Sequence, residues 1–123
     1  MSGLTIAVDL QSGPAPWRQI RDQVLRAILT GALQPGDRLP PIRQLARDLG
    51  LAPGTVARSY RELETRDWVT TARARGTVVT ERTTQPGNVR LQAAAREFTH
   101  HARSLDADPE LAVQAILAAF EQP

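Results

Sequence analysis

The chain has 123 residues, with 15 basic and 13 acidic side chains for a formal net charge of +2, and it contains no cysteine. That length holds one domain, or one small domain with an appendage, and the missing cysteine excludes disulfides and thiolate metal sites. No apolar run approaches the ~18–20 residues that span a bilayer. Met1-Ser2-Gly3-Leu4-Thr5 lacks the basic start and apolar core of a signal peptide, so a cytoplasmic protein without membrane contact is expected.

The charge is unevenly placed. Every basic residue is arginine, and all 15 lie between Arg18 and Arg103 against nine acids in residues 1–103, so that stretch carries +6. From Ser104 to Pro123 there are four acids and no arginine, which gives −4. A basic body with an acidic end suits a polyanion-binding domain joined to a second element. Arginine enrichment alone also follows from genomic base composition, so the argument rests on where the arginines fall.

In chain order, Leu4, Ile6 and Val8 alternate with Thr5, Ala7 and Asp9, a weak signal for a short strand. A first helix is predicted over about 16–29. Trp17, Ile20, Val24 and Ile28 fall on one stripe, Leu25 and Leu29 widen it, and Gly31 ends it. Gln34-Pro35-Gly36-Asp37 has the central Pro-Gly pair of a type II turn. A second helix over about 41–49 carries Ile42, Leu45, Ala46 and Leu49 at core spacing. After the turn Gly50-Leu51-Ala52, a third helix runs over about 53–66 with Val56, Tyr60 and Leu63 inward. Two helices joined by about three residues including a glycine match helix-turn-helix geometry.

Two β-type runs follow, Trp68–Thr71 and Thr77–Thr80, around the arginine-bearing tip Ala72-Arg73-Ala74-Arg75-Gly76. They read as the wing of a winged helix. Residues 83–88 have linker composition. Beyond them, Leu91, Ala95, Phe98, Ala102 and Leu105 alternate by four and three. Asp108-Pro109-Glu110 then opens a last helix with Val113, Ile116, Leu117 and Phe120 on its apolar face. The expected fold is thus mainly α with a small β-hairpin. A winged helix-turn-helix spans residues 1–82, a linker 83–88, and a helical segment 89–123.

This order of elements points to double-stranded DNA. A recognition helix enters the major groove by its N-terminal residues, which here are Pro53, Gly54, Thr55 and Arg58. Thr55 suits a phosphate, a base edge or a thymine methyl. Arg58 is one turn on, within reach of phosphate or guanine, while Pro53 and Gly54 leave room for close backbone approach. Arg43 and Arg47 sit at i and i+4 on the polar side of the preceding helix, where it crosses the DNA backbone. Arg73, Arg75 and Gly76 form a wing tip suited to a narrow minor groove. Trp17, Tyr60 and Trp68 fall on apolar stripes and are expected in the core.

The residues carrying this pattern closely resemble the GntR family of bacterial transcription regulators. The resemblance covers about residues 16–79: Pro16-Trp17-Arg18-Gln19-Ile20, Gly31 through Pro40, Arg43-Gln44-Leu45-Ala46, Leu49 through Val56, and Tyr60 through Glu64. The short two-helix end is similar to the YtrA-like subfamily. This resemblance implies a homodimer on an inverted-repeat operator, usually repressing a nearby operon. It also implies DNA contacts at Arg43, at Thr55 and at the tip from Arg73 to Gly76. The chain departs from the family pattern at four positions. Pro41 and Ala52 replace capping serine or threonine, Asp67 replaces a glycine before the wing, and Ala74 replaces the first glycine of the tip.

Two helices in about 35 residues do not bury a core alone. The tail stripe, Leu91, Ala95, Phe98, Ala102, Leu105, Val113, Ile116, Leu117 and Phe120, is therefore expected to pack against a second copy in a four-helix arrangement. An unidentified small-molecule effector remains an open partner. His100 and His101 point to different sides of a helix and make a poor chelate, so no metal and no cofactor is expected. No nucleophile–base pair, paired carboxylates or phosphate loop points to an enzyme. The rival readings are a non-specific DNA-architectural protein, recognised by binding without operator preference, and a protein-interaction winged helix. The latter predicts apolar residues on the exposed face of 53–61, where Thr55, Arg58, Ser59 and Arg61 stand instead.

Overall fold

The computed structural model describes residues 4–122. The ends of the expected segments, residues 1–3 and Pro123, lie outside the described residues. The chain forms two compact units, Met1–Thr84 and Gln85–Pro123.

The first unit holds α1 (Pro16–Thr30), α2 (Ile42–Leu49), α3 (Pro53–Thr65), β1 (Val69–Ala72) and β2 (Gly76–Val79), followed by a 3-10 turn, Arg82–Thr84. The apolar stripes read from the sequence supply its core. Ile20, Val24 and Ile28 of α1 meet Leu45 and Ala46 of α2 and Val56, Tyr60 and Leu63 of α3, closed by Leu33, Leu39, Trp68, Val69 and Val79. Leu29 does not join them and is 43% exposed, so the α1 stripe is narrower than expected.

The segment Leu4–Val8 is not a strand, although its alternation has a physical basis. Leu4, Ile6 and Val8 pack on the core, and two glutamines of α1 take the place of a neighbouring strand. The Ala7 N–H donates to Gln23 Oε1 at 3.0 Å, and Gln23 Nε2 donates to the Ala7 carbonyl at 2.7 Å. Gln19 holds Asp9 by the same pair of bonds, each 2.9 Å. Extended backbone needs polar partners, and here side-chain amides provide them.

Helix ends are set by left-handed residues. Gly50 (φ 67°) follows α2, and the Leu51 N–H returns to the Ala46 carbonyl at 2.8 Å. After α3 the same position is held by Asp67, with φ 63°. The Asp67 N–H donates to the Glu64 carbonyl and the Trp68 N–H to the Leu63 carbonyl, both at 3.0 Å. The glycine expected there by resemblance is thus replaced by an aspartate carrying the same backbone conformation. Between α1 and α2, Gly36 (φ 91°) and the Asp37 N–H to Gln34 carbonyl bond (2.9 Å) form the expected turn.

β1 and β2 pair antiparallel from Val69–Val79 to Ala72–Gly76. Arg38 forms an isolated bridge with Val78, and the Leu39 N–H donates to the Thr77 carbonyl at 2.8 Å. The α1–α2 connection therefore lies along β2 as a third, minimal strand and ties the wing to the helices.

The second unit is a helical pair, α4 (Pro86–Ser104) and α5 (Pro109–Glu121). Residues 83–88, expected as a linker, are instead the end of the 3-10 turn and the first turn of α4, because Pro86 is pre-set for the N1 position. Asp106 (φ 59°) stops α4, and the Asp108 carboxylate accepts the Leu111 N–H at 2.8 Å to cap α5. The pair encloses an apolar cleft of about 290 Å³ lined by Phe98, Val113 and Ile116 among others. No helix among the described residues is long and apolar enough to cross a membrane.

Candidate nucleic-acid interface

The start of α3 is built for exposure. Ala52 is the N-cap and supplies no side-chain bond. Pro53 holds the first position, and the Thr55 N–H returns to the Ala52 carbonyl at 3.0 Å. Pro53 and Gly54 are exposed and Thr55 is half-buried. A Cβ built on Gly54 would meet nothing within 4 Å, and its φ is not positive. Nothing among the described residues calls for glycine at this position, which suits close approach of an external backbone. On α2, Arg43 and Arg47 are exposed beside the buried Leu45 and Ala46, and Pro41 caps the helix without a side-chain bond.

Ser59 does not lie on the exposed face of α3, contrary to the reading from sequence. It is fully buried, and its hydroxyl lies 2.7 Å from the Trp17 carbonyl and 3.1 Å from the Thr55 carbonyl, pinning α3 to the first turn of α1. Tyr60, one residue on, donates its hydroxyl to the Pro40 carbonyl at 2.7 Å. Burial raises its phenol pKa well above the ordinary value.

Arg58 is exposed, but its guanidinium lies over the ring of Trp17, 4.1 Å from the centroid. Trp17 is half-buried and stands outside the core, at the junction of α1 and α3, where Arg18 and Arg21 also face its ring. The stripe arithmetic placed it with the core residues; the structure gives it to the arginines. Trp68 and Tyr60 are buried as expected.

At the wing, the tip Arg73-Ala74-Arg75 is exposed and closed by the Arg75 N–H to the Ala72 carbonyl at 3.2 Å, with Gly76 at φ 69°. Ala74 therefore fits the tip in spite of the glycine it replaces. Arg38, given no role of its own in the sequence, reaches from the neighbouring edge toward the Ala74 carbonyl at 3.4 Å. The wing is fixed to α3 by Glu64, whose carboxylate accepts the Thr71 N–H at 2.9 Å. At its base Arg82 lies over Trp68, 3.9 Å from the centroid, and donates to the Arg66 carbonyl.

Arg43, Arg47, Arg73 and Arg75 have no acidic partner among the described residues, so their charge is directed outward. The structure brings Thr55 and Arg58 onto one helix, sets Arg43 and Arg47 on the helix before it, and carries Arg73 and Arg75 on a hairpin bolted to it. The functional candidates missed in the sequence are Trp17, Arg18, Arg21 and Arg38. The aromatic beside an arginine at the Pro16 helix start was the available signal.

In the tail, Leu91, Phe98, Leu105, Val113, Ile116, Leu117 and Phe120 are each at least 36% exposed, and Ala95 is exposed with them. Ala102 departs from the expected stripe. It is buried at the turn where the Ala107 N–H returns to its carbonyl, so it belongs to the inside of the helical pair.

A family model described as bacterial regulatory proteins, gntR family, matches residues 16–79. The HTH-type transcriptional regulator Rv1152 of Mycobacterium tuberculosis is 42% identical over 100 residues, covering 81% of each chain. The HTH-type transcriptional repressor YtrA of Bacillus subtilis is 38% identical over 76 residues, 62% of this chain and 58% of that protein. Among solved structures, YtrA from Sulfolobus acidocaldarius, a GntR-family transcription factor, superposes with a TM-score of 0.57 at 34% identity over 72% of this chain and 97% of that one.

Proposed function

Because the chain belongs to the GntR family of bacterial regulatory proteins, and is by that membership a DNA-binding transcription regulator, we propose that it acts as a homodimeric repressor on an inverted-repeat operator. The observation that carries the reading is the exposure of arginines with no acidic partner among the described residues on the elements before and after α3, Arg43 and Arg47 on α2 and Arg73 and Arg75 on the wing tip. In this reading Thr55, with Pro53 and Gly54, approaches the major groove. Arg43 and Arg47 hold phosphates, and Arg73, Arg75 and Gly76 enter the minor groove.

The dimer is supported by the tail, whose exposed apolar side chains include Phe120 at 83% and Leu105 at 67%. Side chains of that size so exposed mark an interaction surface. A second copy covers them and sets two recognition helices about one DNA turn apart. Repression is supported by the Bacillus subtilis relative YtrA, a transcriptional repressor. Binding, rather than catalysis, is the role assigned to the chain, in the cytoplasm where its DNA is.

The test is selection of genomic fragments by the purified chain at two salt concentrations, with light scattering for mass. Enrichment of one short inverted repeat that survives the higher salt, bound by a species of twice the chain mass, is expected. Broad capture lost at higher salt would favour the DNA-architectural reading.

A further inference from the structure

Three guanidiniums share the ring of Trp17. Arg58 lies 4.1 Å from its centroid, Arg21 5.2 Å and Arg18 5.6 Å. All three fall within the ~6 Å over which a cation is drawn to an aromatic face. Arg18 and Arg21 come from the first turns of α1, whereas Arg58 comes from α3, one turn beyond Thr55. The Ser59 bond to the Trp17 carbonyl fixes the two helices together at this point.

Gathering like charges on one ring carries a repulsive cost. One of the three is offset within the chain, since Arg21 pairs with Asp22 at 2.8 Å. Arg18 and Arg58 have no acidic partner among the described residues and both are exposed. Their long side chains would ordinarily sample many rotamers. Packing on an aromatic plate restricts them before any ligand arrives, which lowers the ordering cost of binding. The product is a pre-arranged pair of planar donors beside the recognition helix. An oxyanion with paired oxygens is the chemistry that guanidinium forks fit.

We propose that Trp17 is a positioning residue that presents Arg58 and Arg18 to the phosphate backbone flanking each half-site. This extends the DNA footprint from α3 onto the start of α1. The inference rests on the DNA reading above and narrows one part of it. Of the two targets within reach of Arg58, phosphate or guanine, it takes phosphate, a contact that sets register and affinity.

The experiment measures DNA affinity across roughly 50 to 200 mM salt for the whole chain and for Arg18→Gln, Arg58→Gln, Trp17→Leu and Trp17→Phe, with Arg43→Gln alongside. Two duplexes are used, a genomically selected fragment and a mixed-sequence one. Each lost phosphate contact lowers the salt slope by ~0.9, so one per chain in a dimer makes the variant lose about tenfold less affinity over that range than the wild type. Arg18→Gln and Arg58→Gln are expected to show this on both duplexes, leaving the preference between them unchanged. Trp17→Leu weakens binding while both arginines remain, and Trp17→Phe restores most of it, an outcome that a purely structural tryptophan confined to folding would not give when thermal melts match.

Wild-type slopes for Arg18→Gln and Arg58→Gln beside a reduced slope for Arg43→Gln would overturn the proposal and leave the DNA reading intact. So would loss of preference for the selected fragment in Arg58→Gln, which would make it a base reader. A wild-type chain that binds neither duplex would sink both.

Discussion

Tyr60 offers an unusually clean test of the packing between α3 and the α1–α2 connection. The chain has no lysine and no cysteine, and Tyr60 is its one tyrosine. Arginine stays charged beyond pH 12, so between pH 10 and 12 this phenol is the group that titrates. Its hydroxyl is buried and donates to the Pro40 carbonyl at 2.7 Å, and burial raises its pKa. The folded state therefore holds the phenol proton more tightly than the unfolded chain does. The resulting stability is whole below pH 10 and drains as pH climbs above that value, by about 1.4 kcal/mol per unit while the folded phenol stays protonated. Tyr60→Phe removes the titration together with the hydrogen bond, which costs about 1–2 kcal/mol at neutral pH because it leaves the Pro40 carbonyl without this partner. The two stability curves should cross at about pH 11, found by dividing the neutral-pH cost by about 1.4 kcal/mol per pH unit and adding the quotient to the ordinary phenol pKa. Urea titrations of both proteins from pH 7 to 12 measure this. A wild-type curve flat above pH 10, or a phenylalanine variant that falls in parallel, would refute the reasoning.

Asp67→Gly should raise stability by about 0.5 kcal/mol, because relief of the left-handed strain exceeds the entropy glycine adds to the unfolded chain. A thermal melt shifted upward by roughly 2–4 °C is expected. Gly54→Ala should move two properties in opposite directions. The added Cβ meets open space within the chain, so stability rises by about 0.5 kcal/mol, while affinity for the selected fragment falls at least tenfold if DNA backbone approaches there. Arg73→Gln combined with Arg75→Gln should lower the salt slope of binding by about 2–4 per dimer, read by fluorescence anisotropy. Leu117→Asp, on an exposed face of α5, should halve the mass seen by light scattering without altering the melting of the first unit.

The fold was readable wherever the signal was local. Stripes at helical spacing foretold α1, α2 and α3, and the Pro-Gly pair at Pro35 and Gly36 foretold the turn that carries the chain to the wing. The errors occur where partners are distant in sequence or are side chains. Alternation in Leu4–Val8 implied a neighbouring strand, yet the partners are the amides of Gln19 and Gln23, invisible to periodicity. Leu29 and Ala102 fell on stripes that the tertiary packing drew with slightly different edges, one left exposed and the other enclosed.

The exposure of Arg43 and Arg47 was also legible, since a charged residue opposite an apolar stripe has one place to go. The roles of Trp17, Ser59 and Arg38 were not. A buried serine and an exposed one look identical in sequence, and which one Ser59 is depends on the Trp17 carbonyl, 42 positions earlier, arriving 2.7 Å from its hydroxyl. The Arg58 guanidinium lies over the Trp17 ring at this same junction of α1 and α3, a juxtaposition that local sequence does not display. That shared junction makes Ser59→Ala informative. The substitution removes a bond of about 1 kcal/mol and loosens the α1–α3 junction. Weakened DNA binding with a melting shift no larger than about 8 °C would show that recognition depends on how the helices are joined as well as on the residues that touch DNA. Unchanged DNA binding by a folded Ser59→Ala protein would mean that Arg58 needs no such brace.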